Sequence, residues 1–122
     1  HYSGEDFGTS MIARLTYISA ASKKLQVFMV LEKSLVLKAV SAMLDMPLTK
    51  MDKLVMNAGK ELSLRIAEQL GMYYRLSGQY QLESSHLMTS EQFKNAFYSE
   101  IFDYSLLFNT GHGYFAFCAK LD

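Results

Sequence analysis

The 122-residue chain has one cysteine, one proline, no tryptophan and no formal net charge. Each shortage removes a class of protein. A lone Cys118 cannot form an internal disulfide or furnish the thiolates of a cysteine-rich zinc site. Twelve basic residues against twelve acidic ones leave no positive surplus of the kind that general nucleic-acid binders set against phosphates. No stretch approaches the roughly 18 uninterrupted apolar residues of a membrane helix, and the longest apolar blocks, 27–31 and 114–119, are strand-sized. Neither nucleic acid nor a membrane is therefore an expected partner. A signal-peptide pattern is missing too, and with an unpaired cysteine this points to a cytoplasmic location. No P-loop, GxGxxG or GxSxG pattern occurs. His1, His86 and His112 stand at no metal-ligand spacing from one another, from Cys118 or from an acid, so neither a metal nor a cofactor is expected.

What remains is half hydrophobic and one-fifth charged. A chain of this size can bury about two-thirds of its unfolded surface without staples. Residues 1–122 read as one domain, with a polar, loose lead-in over 1–10 (HYSGEDFGTS) and a start at His1 that reads as a processing boundary or one that cuts into the domain.

Residues 11–19 (MIARLTYIS) and 25–31 (LQVFMVL) alternate apolar and polar positions around a short polar break, the pattern of a β-hairpin. The period then changes. Leu35, Ala39 and Met43 form one i, i+4 row and Val36, Val40 and Leu44 another, which predicts an amphipathic helix that Pro47 ends. Thr49-Lys50-Met51-Asp52 has the form of a capping box, with Thr49 as cap. Met51, Val55, Ala58, Leu62, Ile66 and Leu70 then trace one stripe along a helix of about five turns. Gly59 inside it costs about 1 kcal/mol relative to Ala, which implies close packing against a neighbour. The opposite side carries Asp52, Lys53, Asn57, Lys60, Glu61, Arg65, Glu68 and Gln69, with Leu64 out of pattern among them.

Between 71 and 98 the pattern is ambiguous. The long helix ends at Gly71 or runs on to Gly78, 79–84 fits a short strand, and 89–96 a turn of helix with an N-cap. Residues 99–108 and 114–121 are aromatic-rich strands around a turn at 109–113. Strands at both ends with two consecutive helices between predict an α+β fold, an antiparallel sheet with the helices packed on one face. The other face would carry Arg14, Thr16, Lys24 and Gln26.

Cys118 reads as a buried, inert thiol. Met43, Met46, Met51 and Met56 cluster at the helix–helix corner, and core filling explains them better than an adaptable surface does. The C-terminal aromatic strand fits a core strand and an exposed edge equally well. On the polar side of the long helix, Asn57, Glu61, Arg65 and Glu68 follow at steps of 4, 4 and 3 and point the same way. A solvated face explains that spacing on its own.

The order of elements and the segment DKLVMNAGKELSLRIAEQL resemble the CheC/CheX class of chemotaxis phosphatases, over about residues 11–121. There a hairpin and a helix precede a longer helix with a Glu-x-x-Asn signature. The resemblance places Glu61-Leu62 at the family's Glu-Leu. It implies a response regulator as partner and hydrolysis of its aspartyl phosphate, the Glu engaging a lysine of the regulator and the Asn positioning the water. Leu64 stands where the Asn is required, and leucine can neither donate to nor accept from a water. The expected function is therefore a divergent, non-catalytic protein-binding module, with Asn57, Glu61, Leu64, Arg65 and Glu68 as contacts. An active phosphatase would need Glu61 with an amide from Asn57 or Gln69. A structural dimerisation domain that uses its edge strands is the third reading, and a homodimer is the partner it implies.

Overall fold

The computed structural model describes residues 10–73, 79–99 and 102–121. Strands β1 (Ser10–Ser19) and β2 (Lys24–Glu32) form the N-terminal hairpin. They pair antiparallel, with Met11 opposite Leu31 and Leu15 opposite Val27, so the alternating apolar residues of both strands share one face. The connection turns at Ser22, whose φ of 60° is left-handed, and Ser19 and Lys23 close it by backbone and side-chain hydrogen bonds.

Helix α1 (Lys33–Leu44) buries Val36 and Val40. It stops before Pro47 does the stopping: Asp45 adopts the left-handed conformation, and the Met46 N–H donates to the Ser41 carbonyl at 3.1 Å. Helix α2 (Lys53–Tyr73) begins three residues later than the capping box implies. Thr49 lies outside the helix, and the cap is Asp52, whose Oδ1 accepts the Val55 N–H at 3.0 Å. An Asp three residues nearer the apolar stripe caps the first turn with its own short side chain and leaves Thr49 without that role. A helix end at Gly78 lies outside the described residues.

Strand β3 (Tyr80–Met88) is longer than its polar sequence implies. It pairs antiparallel with β1, and a bulge opposite Thr16/Tyr17 breaks the alternation that would have revealed it. Helix α3 (Ser90–Ser99) follows. Its start is a reciprocal box: Thr89 Oγ1 accepts the Gln92 N–H at 3.1 Å and Gln92 Oε1 accepts the Thr89 N–H at 3.0 Å. The expected strand over 99–108 is thus shortened at its beginning, since Ser99 ends α3 and β4 runs Tyr104–Thr110. Gly111 and His112 make the turn to β5 (Gly113–Leu121).

The five strands form one antiparallel sheet in the order β3-β1-β2-β5-β4, and the fold is α+β. One face carries α1 and α2 over a core that includes Met11, Leu15, Val27, Met29, Leu31 and Phe117. The second face is not left to polar residues alone. Helix α3 sets Phe93 onto Ile12, Phe28, Val30, Ala116 and Cys118, with Phe28 and Phe93 ring centres 5.8 Å apart. A ten-residue helix is too short for periodicity to show which sheet face it covers. Arg14, Thr16 and Gln26 lie beside this second core, where Arg14 Nη2 donates to Gln26 Oε1 at 2.8 Å and the guanidinium sits 5.8 Å from the Phe28 ring centre.

Candidate functional site

Helix α2 has two long sides. Its buried seam is Val55, Gly59, Ser63 and Ala67, an i, i+4 row. The expected stripe through Ala58, Leu62, Ile66 and Leu70 flanks this seam and is only half-buried. The helix is therefore turned from the position that the large apolar residues indicate. Small residues permit the turn. A Cβ on Gly59 would lie 2.6 Å from Met11 Sδ on β1 and 3.0 Å from Val36 Cγ1 on α1. The expected close packing at Gly59 is there, in the corner between the sheet and α1. Ser63, fully buried, turns its hydroxyl back to donate to the Gly59 carbonyl at 2.9 Å.

The same rotation relocates Leu64. It is half-buried and packs against the helix-side core, so it is not the exposed contact residue that its charged neighbours imply. Asn57, Glu61, Arg65 and Glu68 are exposed, and so is Gln69. Asn57 and Glu61 differ by about 40° around the helix and about 6 Å along it, so they share one patch of surface. Gln69 lies about 80° round and about 12 Å beyond Glu61, too far to serve the same reacting group. Of the two amides named for a catalytic role, only Asn57 is brought near Glu61.

Two residues join this side that spacing alone left out. Leu54, seven positions before Glu61, is 55% exposed, the most exposed large hydrophobic side chain described. It lies on the stripe of Asn57 and Glu61, and its signal is the one Leu64 gives: an apolar residue among charges. Tyr17 on β1 is the other. Its hydroxyl is buried without a hydrogen-bond partner. Burial first, and then the Glu68 carboxylate, push its ionisation up to about 12. Glu68 thus acts electrostatically on the sheet while standing on the exposed side of α2.

The remaining candidates differ in burial. Cys118 is fully buried, and desolvation raises its thiol to about 11 against the lowering effect of the Ser105 hydroxyl. The four corner methionines divide: Met51 and Met56 pack on the core, while Met43 and Met46 are exposed. Among the described residues no group of His, Cys, Asp and Glu is arranged to hold a metal ion, and no helix is long and apolar enough to cross a membrane. Comparison with protein-family models, with curated proteins and with solved structures gives no significant match.

Proposed function

We propose that this domain is a non-catalytic protein-binding module, a divergent CheC/CheX-like domain that docks a response regulator through the outer side of α2. The observation that carries the reading is the division of labour on that helix. Leu54, Asn57, Glu61 and Arg65 face outward together, whereas position 64, where phosphatase chemistry needs an amide, holds a leucine packed on the core. Phosphoryl transfer depends on placing a water and charges around the phosphorus, and an apolar side chain turned inward does neither. An apolar residue ringed by charged and amide groups is the composition of a small protein contact. The order hairpin, helix, longer helix and further strands is the one the resemblance implies.

The test is titration of a phosphorylated receiver domain with this protein. Complex formation without faster phosphate loss is the expected result. Leu54→Ala and Glu61→Lys should each weaken the complex while leaving the fold intact, since both side chains are exposed. Failure to bind any receiver domain removes the reading. Phosphate loss that accelerates with the protein, and stops on Glu61→Ala or Asn57→Ala, favours instead the second reading, an active phosphatase. The nearness of Asn57 to Glu61 is what keeps that alternative specific.

A further inference from the structure

On the second face of the sheet, beside the core that Phe93 completes, the strand register sets six residues in a grid. His86, Arg14 and Phe28 are cross-strand neighbours in one row, and Ser84, Thr16 and Gln26 in the next. Neighbours lie about 5 Å apart across the strands and about 7 Å apart along them. Arg14 is the unusual member. It is half-buried, and no carboxylate among the described residues pairs with it. What holds it is neutral: Gln26 Oε1 accepts from Nη2 at 2.8 Å, and the Phe28 ring centre is 5.8 Å from the guanidinium. Phe28 is itself fixed between Phe93 and Phe102, with ring centres 5.8 and 5.4 Å away. The Arg14 Nε is buried without a hydrogen-bond partner.

The acids of these three strands stand off the grid. Strand β1 has none. Strand β2 has Glu32 at its far end, where it accepts from Ser34, and Glu83 sits in the β3 bulge without a cross-strand partner. Lys24, two residues beyond Gln26 on β2, adds a second positive charge to the same face. Ser84, Thr16, Gln26 and His86 can each donate a hydrogen bond. A half-buried cation left without counter-charge among donors is complementary to an anion.

We propose that this grid binds the phosphate group of a small ligand, with Arg14 as the charged anchor and Thr16, Ser84 and His86 as further donors. A single arginine fork can already satisfy both oxygens of a carboxylate. Here donors stand in two rows on two strands, a spread that suits the three oxygens of a phosphate group. Phe28 and Gln26 fix the guanidinium before the ligand arrives, so binding costs little side-chain ordering. The site lies on the sheet face away from α2 and is independent of the α2 reading.

Titration of the full chain with inorganic phosphate, followed by amide chemical shifts, tests it. The shifts should saturate and centre on Arg14, Thr16, Ser84 and His86, and sodium chloride at equal ionic strength should not reproduce them. Arg14→Gln should weaken binding about tenfold or more. Lys38→Gln removes the same charge from an exposed site on α1 and should leave binding unchanged. Should Arg14→Gln fail to fold, Ser84→Ala and His86→Ala form the second arm, since each removes a donor near the sheet edge and should weaken binding severalfold with the fold intact. No saturable shifts, shifts that chloride reproduces, shifts centred elsewhere, binding unaltered in Arg14→Gln, or binding unaltered in both Ser84→Ala and His86→Ala each overturns the proposal.

Discussion

The two long sides of α2 obey different rules. The inner seam of Val55, Gly59, Ser63 and Ala67 has little side-chain volume and almost no exposure. Its contribution is shape: the helix axis comes close enough to β1 and α1 that a single added methyl meets Met11 and Val36. The outer side of Leu54, Asn57, Glu61, Arg65 and Glu68 has ample volume and charge, and nothing described packs over it. Burial is concentrated on the first side and exposed charge on the second. Substitutions should therefore be graded by side and not by residue size.

The sharpest break of that contrast is Gly59→Leu. The new side chain must enter space held by two buried residues, Met11 and Val36, both at most 2% exposed. Overpacking of this kind costs about 3 kcal/mol or more, several times what leucine regains in helix propensity over glycine. Denaturant unfolding should show a large loss of stability or no folded protein. Next comes Val55→Ala, which removes two buried methyl groups from the first turn of the seam and should lower stability by about 2 kcal/mol. If either change proves neutral, the seam is not where the helix is held.

How far the seam was legible follows from these residues. Hydrophobic periodicity weights large apolar side chains, so it found the helix and its length. It drew the stripe through Ala58, Leu62, Ile66 and Leu70 because Gly59 and Ser63 carry no apolar signal. The half-burial of Leu64 follows from that rotation, and so was missed with it. Gly59 itself was readable, since a glycine in mid-helix needs a reason. Asp52 shows the limit of cap motifs: the Thr49-x-x-Asp52 pattern points to its first member as the cap, and the hydrogen bond from the Val55 N–H shows that its second member does the capping. Helix α3 carried a full Thr-x-x-Gln box, but ten residues are too few for periodicity to say which sheet face Phe93 covers. For the outer side the positions were legible and the chemistry was not, because exposure does not identify what binds.

Tyr17 sharpens the comparison where the two sides meet. Its hydroxyl is buried without a partner, so Tyr17→Phe should raise stability by about 1 kcal/mol near neutral pH, provided the site closes over the lost oxygen. The group ionises near pH 12 in the folded protein against an ordinary 10. Its neutral form is therefore favoured by folding. That contribution is fully present below pH 10 and is lost as pH rises from 10 to 12. Unfolding midpoints measured across that window should fall less steeply in Tyr17→Phe than in the parent. Equal slopes would mean that the hydroxyl reaches water in the native state. Glu68→Gln should lower the Tyr17 ionisation slightly, since the carboxylate is the lesser cause.

The smallest expected change is also the one that separates fold from function. Glu61→Ala and Asn57→Ala remove exposed side chains from the outer side, and each should alter stability by no more than about 0.5 kcal/mol. Isolated surface charges contribute little because water already solvates them. Any loss of partner binding in these variants then reports contact directly, with no unfolding to explain it. Thermal unfolding of both variants beside the parent provides the check. A drop comparable to that of Val55→Ala would show the outer side to be structural, and Leu54, 55% exposed on the same stripe, would then be the remaining residue there whose exposure calls for a partner.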